Sequence, residues 1–210
     1  MEYLKKYKSF LILIIFAMGS QSLFYYSLKY VISDFNIIDS FIDFPLVKSF
    51  VYFYDAWYPF ILFNAFLVYL YDRKLFNYLI ITMLLAAFFG HVTFIIYPSM
   101  VIRPTIVVHN LTDWLVDFTY KSDTPAVNCL PSIHCIYCFV TSYYILKCKN
   151  LDYKRIILVV ISILTALSTV FIKQHIIEDV ILAFIYTVMA ILIVKMNEDR
   201  IDKLFKKINI

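Results

Sequence analysis

The chain has 210 residues, of which 62% are hydrophobic, 19% aromatic and 16% charged, with a formal net charge of +4. Soluble domains are about 45–50% apolar and about 25% charged, so an ordinary water-soluble domain is excluded and an integral membrane protein is indicated. The small positive balance follows from where the basic residues fall between apolar runs, which leaves a nucleic-acid partner little support.

Taken in chain order, apolar runs occupy 10–29, 57–71 with its flanks, 75–97, 132–146 with its flanks, 156–172 and 179–194. Each approaches the ~20 residues that cross a ~30 Å hydrocarbon core. The expected fold is therefore all-α, a bundle of six transmembrane helices read as a single domain over 1–210. The first run also fits a secretory leader, since Lys5, Lys6 and Lys8 precede it and Ala17-Met18-Gly19 is a small-x-small triplet. Apolar and aromatic residues continue to Tyr30, however, which favours an uncleaved helix. Trp57, Tyr58, Tyr71, Tyr143 and Tyr144 end the two shortest runs, where interfacial aromatic residues belong.

Orientation follows from the basic residues. With both termini cytoplasmic, Lys5, Lys6, Lys8, Arg73, Lys74, Lys147, Lys149, Lys154, Arg155 and the C-terminal cluster Lys195–Lys207 lie inside. Only Lys29, Lys48, Arg103, Lys121 and Lys173 lie outside, as the positive-inside rule prefers. Two long segments then face outward, 30–56 and 98–131. The first mixes aspartates with phenylalanines, which suits chain lying along the interface. In the second, Leu111, Trp114, Leu115 and Phe118 repeat at helical spacing behind Asn110, a capping residue, so a short interfacial helix is expected. Both segments are expected to roof the bundle. The Ile-, Lys-, Asn- and Tyr-rich usage resembles that of an AT-rich bacterial genome.

Cys135-x-x-Cys138 has no second pair to complete a zinc site, so Cys129, Cys135, Cys138 and Cys148 read as small apolar residues. With only Gly19 and Gly90 present, there is no glycine-rich nucleotide loop. What needs explaining is a set of ionisable groups near the outer ends of spans, where such groups are expensive. His175 and Asp179 stand one helical turn apart, so the carboxylate can orient the imidazole and leave its other nitrogen free. The same spacing also suits a helix start with acidic residues favoured by the dipole. Pro131 suits the first turn of a helix, and Ser132 with the free N–H groups there forms an anion site that His134 can face. From chemistry alone His134 serves equally as an interfacial polar residue. Arg103-Pro104 supplies a charged planar fork on that side. His91 reads as a packing histidine and His109 as a solvated one.

These residues fall in a pattern. "RP" at 103–104, "PSIH" at 131–134 and "STVFIKQHIIED" at 168–179 resemble the three-part signature of the type 2 phosphatidic acid phosphatase superfamily, K-x6-RP, PSxH and SR-x5-H-x3-D. The resemblance implies a six-span lipid phosphatase with an outward site, in the cell membrane among its lipids, needing no metal or other cofactor. It implies that His175 attacks phosphorus to give a phosphohistidine, that Asp179 orients it and that His134 protonates the leaving alkoxide of a lipid phosphate. Arg103, Ser132 and Ser168 would hold the phosphate. Ile96 and Thr169 stand where the family has its lysine and second arginine. Branches resembling inositol phosphorylceramide and sphingomyelin synthases also alter those positions, which keeps phosphotransfer open beside hydrolysis, with a non-catalytic lipid-binding or transport protein as the third reading. Lys173, four residues after Thr169, reaches the same phosphate if its helix continues that far, or snorkels to the interface.

Overall fold

The computed structural model describes residues 10–15, 17, 19, 22 and 34–207. Most of the first expected span thus lies outside the described residues. Its helical residues 10–15 place Phe10 against Phe66, Tyr69 and Phe76, with ring centroids 5.2, 5.3 and 5.5 Å away. From there the elements are β1 (Asn36–Ile37), α1 (Val51–Asp55), α2 (Trp57–Tyr71), α3 (Arg73–Ile96), β2 (Ser99–Met100), α4 (Leu111–Ser122), α5 (Ile133–Lys147), α6 (Lys154–Phe171), α7 (Ile177–Met196) and α8 (Glu198–Lys207).

Among the described residues, α3, α6 and α7 are long and apolar enough to cross a membrane. The segment 48–55 and α2, bent by 42° at their junction, add a fourth if they count as one span. Both α2 and α5 have 15 residues, about 22 Å at 1.5 Å per residue. The polarity of α6 shows the solvent it is made for. Its buried face carries Ser162, Thr165, Ser168 and Thr169, and Ile156, Val160, Ile163 and Leu167 are exposed. On α7, Ile181, Phe184, Ile185, Val188 and Leu192 are exposed in the same way. Small and hydroxyl residues at helix contacts with branched residues outward is the arrangement that lipid favours.

The short helix α5 is the centre. It packs on α2, α3, α6 and α7, and Cys135, Ile136, Tyr137, Cys138, Val140 and Thr141 are all buried. Gly90 lets α3 approach its start: a Cβ there would lie 3.0 Å from Ile133 Cδ1 and 3.2 Å from Pro131 Cγ. Polar contacts join the helices, Thr82 to Tyr144 and Thr93 to Tyr186 at 2.7 Å each.

The described parts of the two long connecting segments lie across one end of the bundle. Asn110 caps α4 by accepting from Asp113 N at 3.0 Å, which accounts for the helix start. The 36–50 segment is fastened by β1, which pairs in parallel with β2. Further along it, Ser40 Oγ and Phe41 N donate to Glu178 at 2.9 and 2.7 Å, and Val47 N donates to Phe171 O at 2.9 Å. In turn α4 is held by Lys48–Asp113 at 2.7 Å and by Tyr120, whose hydroxyl donates to Ile172 O at 2.6 Å. The roof thus rests on the α6–α7 turn that carries His175.

Candidate active site

The starts of α5 and α7 and the end of α6 meet under this roof. Pro131 sits one residue before the N-cap rather than in the first turn, because Ser132 is the cap: its Oγ accepts from Cys135 N at 3.3 Å. Ser132 N donates to Asp179 O at 3.2 Å, so the starts of α5 and α7 are tied together. His134 follows in the first turn of α5. Trp57 and Tyr54 flank its ring at centroid distances of 4.5 and 4.8 Å, and Trp57 Nε1 donates to its carbonyl at 3.2 Å.

His175 and Asp179 meet as their spacing predicts, but for a different reason. His175 lies before α7, whose N-cap is Ile176, so the two side chains do not share a helical face. Asp179, at the third helical position, folds back over the cap. Its Oδ2 accepts from Ile176 N at 3.1 Å and lies 2.9 Å from His175 Nδ1. A carboxylate already engaged by a cap N–H suits the tautomer that donates from Nδ1, which leaves Nε2 as the nitrogen not facing Asp179. The His175 ring stands 5.7 Å from that of His134, centroid to centroid.

Both histidines line a cavity of about 570 Å³ together with Arg103, Asp123, Asn128 and Gln174. Arg103 is anchored from the roof: Nη2 pairs with Asp123 Oδ2 at 2.6 Å, and Nη1 donates to Asp123 O at 3.0 Å. The apolar wall comes from Trp57, Tyr58, Trp114, Leu115, Phe118, Ile133 and Tyr137. Burial pushes the Cys129 thiol well up; the neighbouring Asp179 and Asp123 carboxylates add to this and Arg103 opposes it. Cys129 is therefore an inert thiol at the cavity wall.

The remaining expected site residues lie elsewhere. Ser168 Oγ donates back to Thr165 O at 2.6 Å, within α6, and neither it nor Ser132 lines the cavity. Thr169 is fully buried, with its hydroxyl 2.7 Å from Ala166 O. Ile96, at the end of α3, is 76% exposed. The helix does not continue to Lys173. It ends at Phe171, and Lys173 adopts φ 57° in a turn closed by Gln174 N to Thr169 O at 2.9 Å and Lys173 N to Val170 O at 3.0 Å. This pair of bonds is the Schellman arrangement. It turns the chain away from the helical path, and the Lys173 ammonium hydrogen-bonds Asp43. His91 lines the cavity from α3 with its ring edge-on to Phe94.

The model of the PAP2 superfamily matches residues 73–202. The chain belongs to that superfamily. Comparisons with curated proteins and with solved structures return no match. Members of the PAP2 superfamily are phosphatases and phosphotransferases, so membership assigns this chain to phosphatase- or phosphotransferase-type chemistry on phosphate esters. The matched region contains Arg103, His134, His175 and Asp179, all placed around the one cavity or directly behind it. Sequence reasoning about a PAP2 chain missed Trp57, Tyr54, Asp123, Asn128 and Gln174. Gln174 precedes His175, and Asn128 precedes the Pro131–His134 stretch, which was the available signal; nothing local marks Asp123 as the partner of Arg103.

Proposed function

We propose that this PAP2 protein is a six-span membrane enzyme that cleaves lipid phosphate esters through a phosphohistidine at His175, with the whole of 1–210 as one catalytic unit. The observation that carries this is His175, backed by Asp179 at 2.9 Å, lining one cavity with His134 and Arg103. Binding alone has no use for an imidazole with one nitrogen engaged and the other free, whereas a nucleophile requires it. His175 Nε2 attacks phosphorus as the bond to the lipid alcohol breaks. His134 delivers a proton to the departing oxygen, and Asp179 offsets the positive charge that develops on His175. Arg103 and the N–H groups at the start of α5 stabilise the non-bridging oxygens as their charge redistributes. Water, or an acceptor hydroxyl in a transferase, then attacks the phosphohistidine while giving its proton to His134. The apolar wall, with both tryptophans of the chain, suits a substrate with acyl or prenyl chains. The distribution of basic residues puts both termini in the cytoplasm and the cavity on the outer side.

The test is an assay of detergent-purified protein on a panel of lipid phosphates, with acid quenching to trap a labile phosphoenzyme. Turnover and trapped adduct that both vanish in His175→Ala are the expected result. Wild-type turnover in that variant would remove His175 as nucleophile, and absence of turnover in the wild type across the panel would favour an anion-binding role.

A further inference from the structure

The charges around the cavity indicate which phosphate it takes, an inference that rests on the phosphoryl-transfer reading above. Among the described residues lining it, Arg103 is the one permanent cation, and the carboxylates of the same lining are Asp55 and Asp123. The guanidinium is bound by Asp123 at 2.6 Å, and Asp55 accepts from Thr119 Oγ1 at 3.0 Å. His91, His134 and His175 are the titratable imidazoles of the same wall, with Asp179 behind His175. Where the superfamily signature carries two more cations, Ile96 and Thr169 stand, and neither lines the cavity.

What the cavity supplies instead is neutral. Asn128 and Gln174 are 3% and 1% exposed. Asn128 Nδ2 and Gln174 Nε2 have no hydrogen-bond partner among the described residues, nor does Arg103 Nε. Buried donors without acceptors are costly, so an acceptor is expected in the working enzyme. A phosphate dianion brought into this space would meet an Arg103–Asp123 pair of no net charge and one further carboxylate, Asp55, and burying it there would be unfavourable. A phosphate with a single negative charge would meet three unfilled N–H donors suited to its two non-bridging oxygens.

We propose that the cavity selects a lipid phosphodiester over a phosphomonoester dianion, and that Asp123, by neutralising Arg103, is the residue that sets this preference. The chemistry balances without a co-reactant other than water or an alcohol. The N–P bond to His175 forms as the P–O bond to the lipid alcohol breaks, and the alcohol leaves with the proton from His134. The phosphohistidine then carries the headgroup as its remaining ester. Attack by water or an alcohol hydroxyl breaks the N–P bond, returns a proton to His134 and releases a headgroup phosphate or a new diester.

The experiment compares phosphatidic acid with phosphatidylglycerol of matched acyl chains, in mixed micelles with the full chain. Both substrates release diacylglycerol, so the leaving alcohol is the same and the charge on phosphorus differs. At about pH 8 the monoester, with a second pKa of about 6, is a dianion. We expect kcat/KM for diacylglycerol release to favour phosphatidylglycerol by at least about tenfold in the wild type. Asp123→Asn should lower the ratio of the phosphatidylglycerol value to the phosphatidic acid value at least about tenfold. Asp123→Ser, which also leaves Arg103 an uncharged acceptor, reads the same change where the Asn variant fails to fold. A wild-type preference for phosphatidic acid overturns the proposal, and a diester preference unmoved by either variant removes Asp123 from it. Absence of His175-dependent release from both lipids overturns instead the phosphoryl-transfer reading beneath.

Discussion

Asp179 carries more of the site than its side chain's single contact with His175 conveys. Its Oδ2 takes the Ile176 N–H and faces His175 Nδ1, and its carbonyl accepts from Ser132 N. One fully buried residue thus starts α7, holds His175, the proposed nucleophile, and anchors the start of α5 next to His134, the proposed acid. Replacing the carboxylate by an amide preserves the volume but removes the charge that would support the proposed cationic phosphohistidine. Asp179→Asn should therefore slow phosphoenzyme formation by at least about a hundredfold, in the range typical of lost acid–base or orienting groups, while the protein still purifies as the wild type does. Rapid-quench measurement of the adduct decides it, and an unchanged rate would mean that His175 needs no orienting carboxylate.

The elements decide which charges reach the cavity. A turn with a left-handed residue ends α6 at Phe171, and that position is filled by Lys173 rather than by glycine. The left-handed conformation is unfavourable for a side-chain-bearing residue by about 1–2 kcal/mol. The turn persists because Val47 N, Tyr120 Oη and Glu178 fasten the chain on both sides of it. Its ammonium is consequently spent on Asp43, which is 91% exposed, and an exposed ion pair contributes little to stability. Lys173→Met should leave turnover within about threefold of the wild type. A loss of thirtyfold or more, measured on the same lipid panel, would show instead that the lysine leaves Asp43 for the substrate phosphate. By the same logic Gly90 is tuned to the site: it allows Pro131 and Ile133 to seat against α3, and so sets where His134 is delivered.

At the scale of the whole molecule, the bundle has two unlike ends. The cavity, the roof and Lys121 belong to the end where α5 starts; Lys149 follows the end where α5 finishes. Both lysines are exposed, so each can report its side of a membrane. In a background lacking native cysteines, Lys121→Cys should react with an impermeant thiol reagent added to intact cells, and Lys149→Cys should react only after lysis. The opposite pattern would place the cavity on the cytoplasmic side and overturn the charge-based orientation.

Sequence alone determined the family, the positions of α3, α6 and α7, and the short motifs of the candidate site. Apolar runs repeat wherever a helix faces lipid, and α3, α6 and α7 fall within a few residues of the runs that mark them. The Asn110 cap acts within three residues of itself, so local chemistry was enough to place it, whereas Pro131, expected in the first turn, lies before the cap that Ser132 supplies. His134, His175 and Asp179 were legible because their motifs keep short internal spacings. Tertiary structure decided the rest: that Asp179 meets His175 through a capping bond, that Lys173 turns to Asp43, and that Arg103 is held by Asp123. It also decided that Asn128 and Gln174 are buried beside them with unfilled donors. These contacts depend on how helix ends and loops pack against one another. The electrostatic character of the cavity is a sum over residues scattered from Asp55 to Asp179, and no local pattern encodes a sum of that kind.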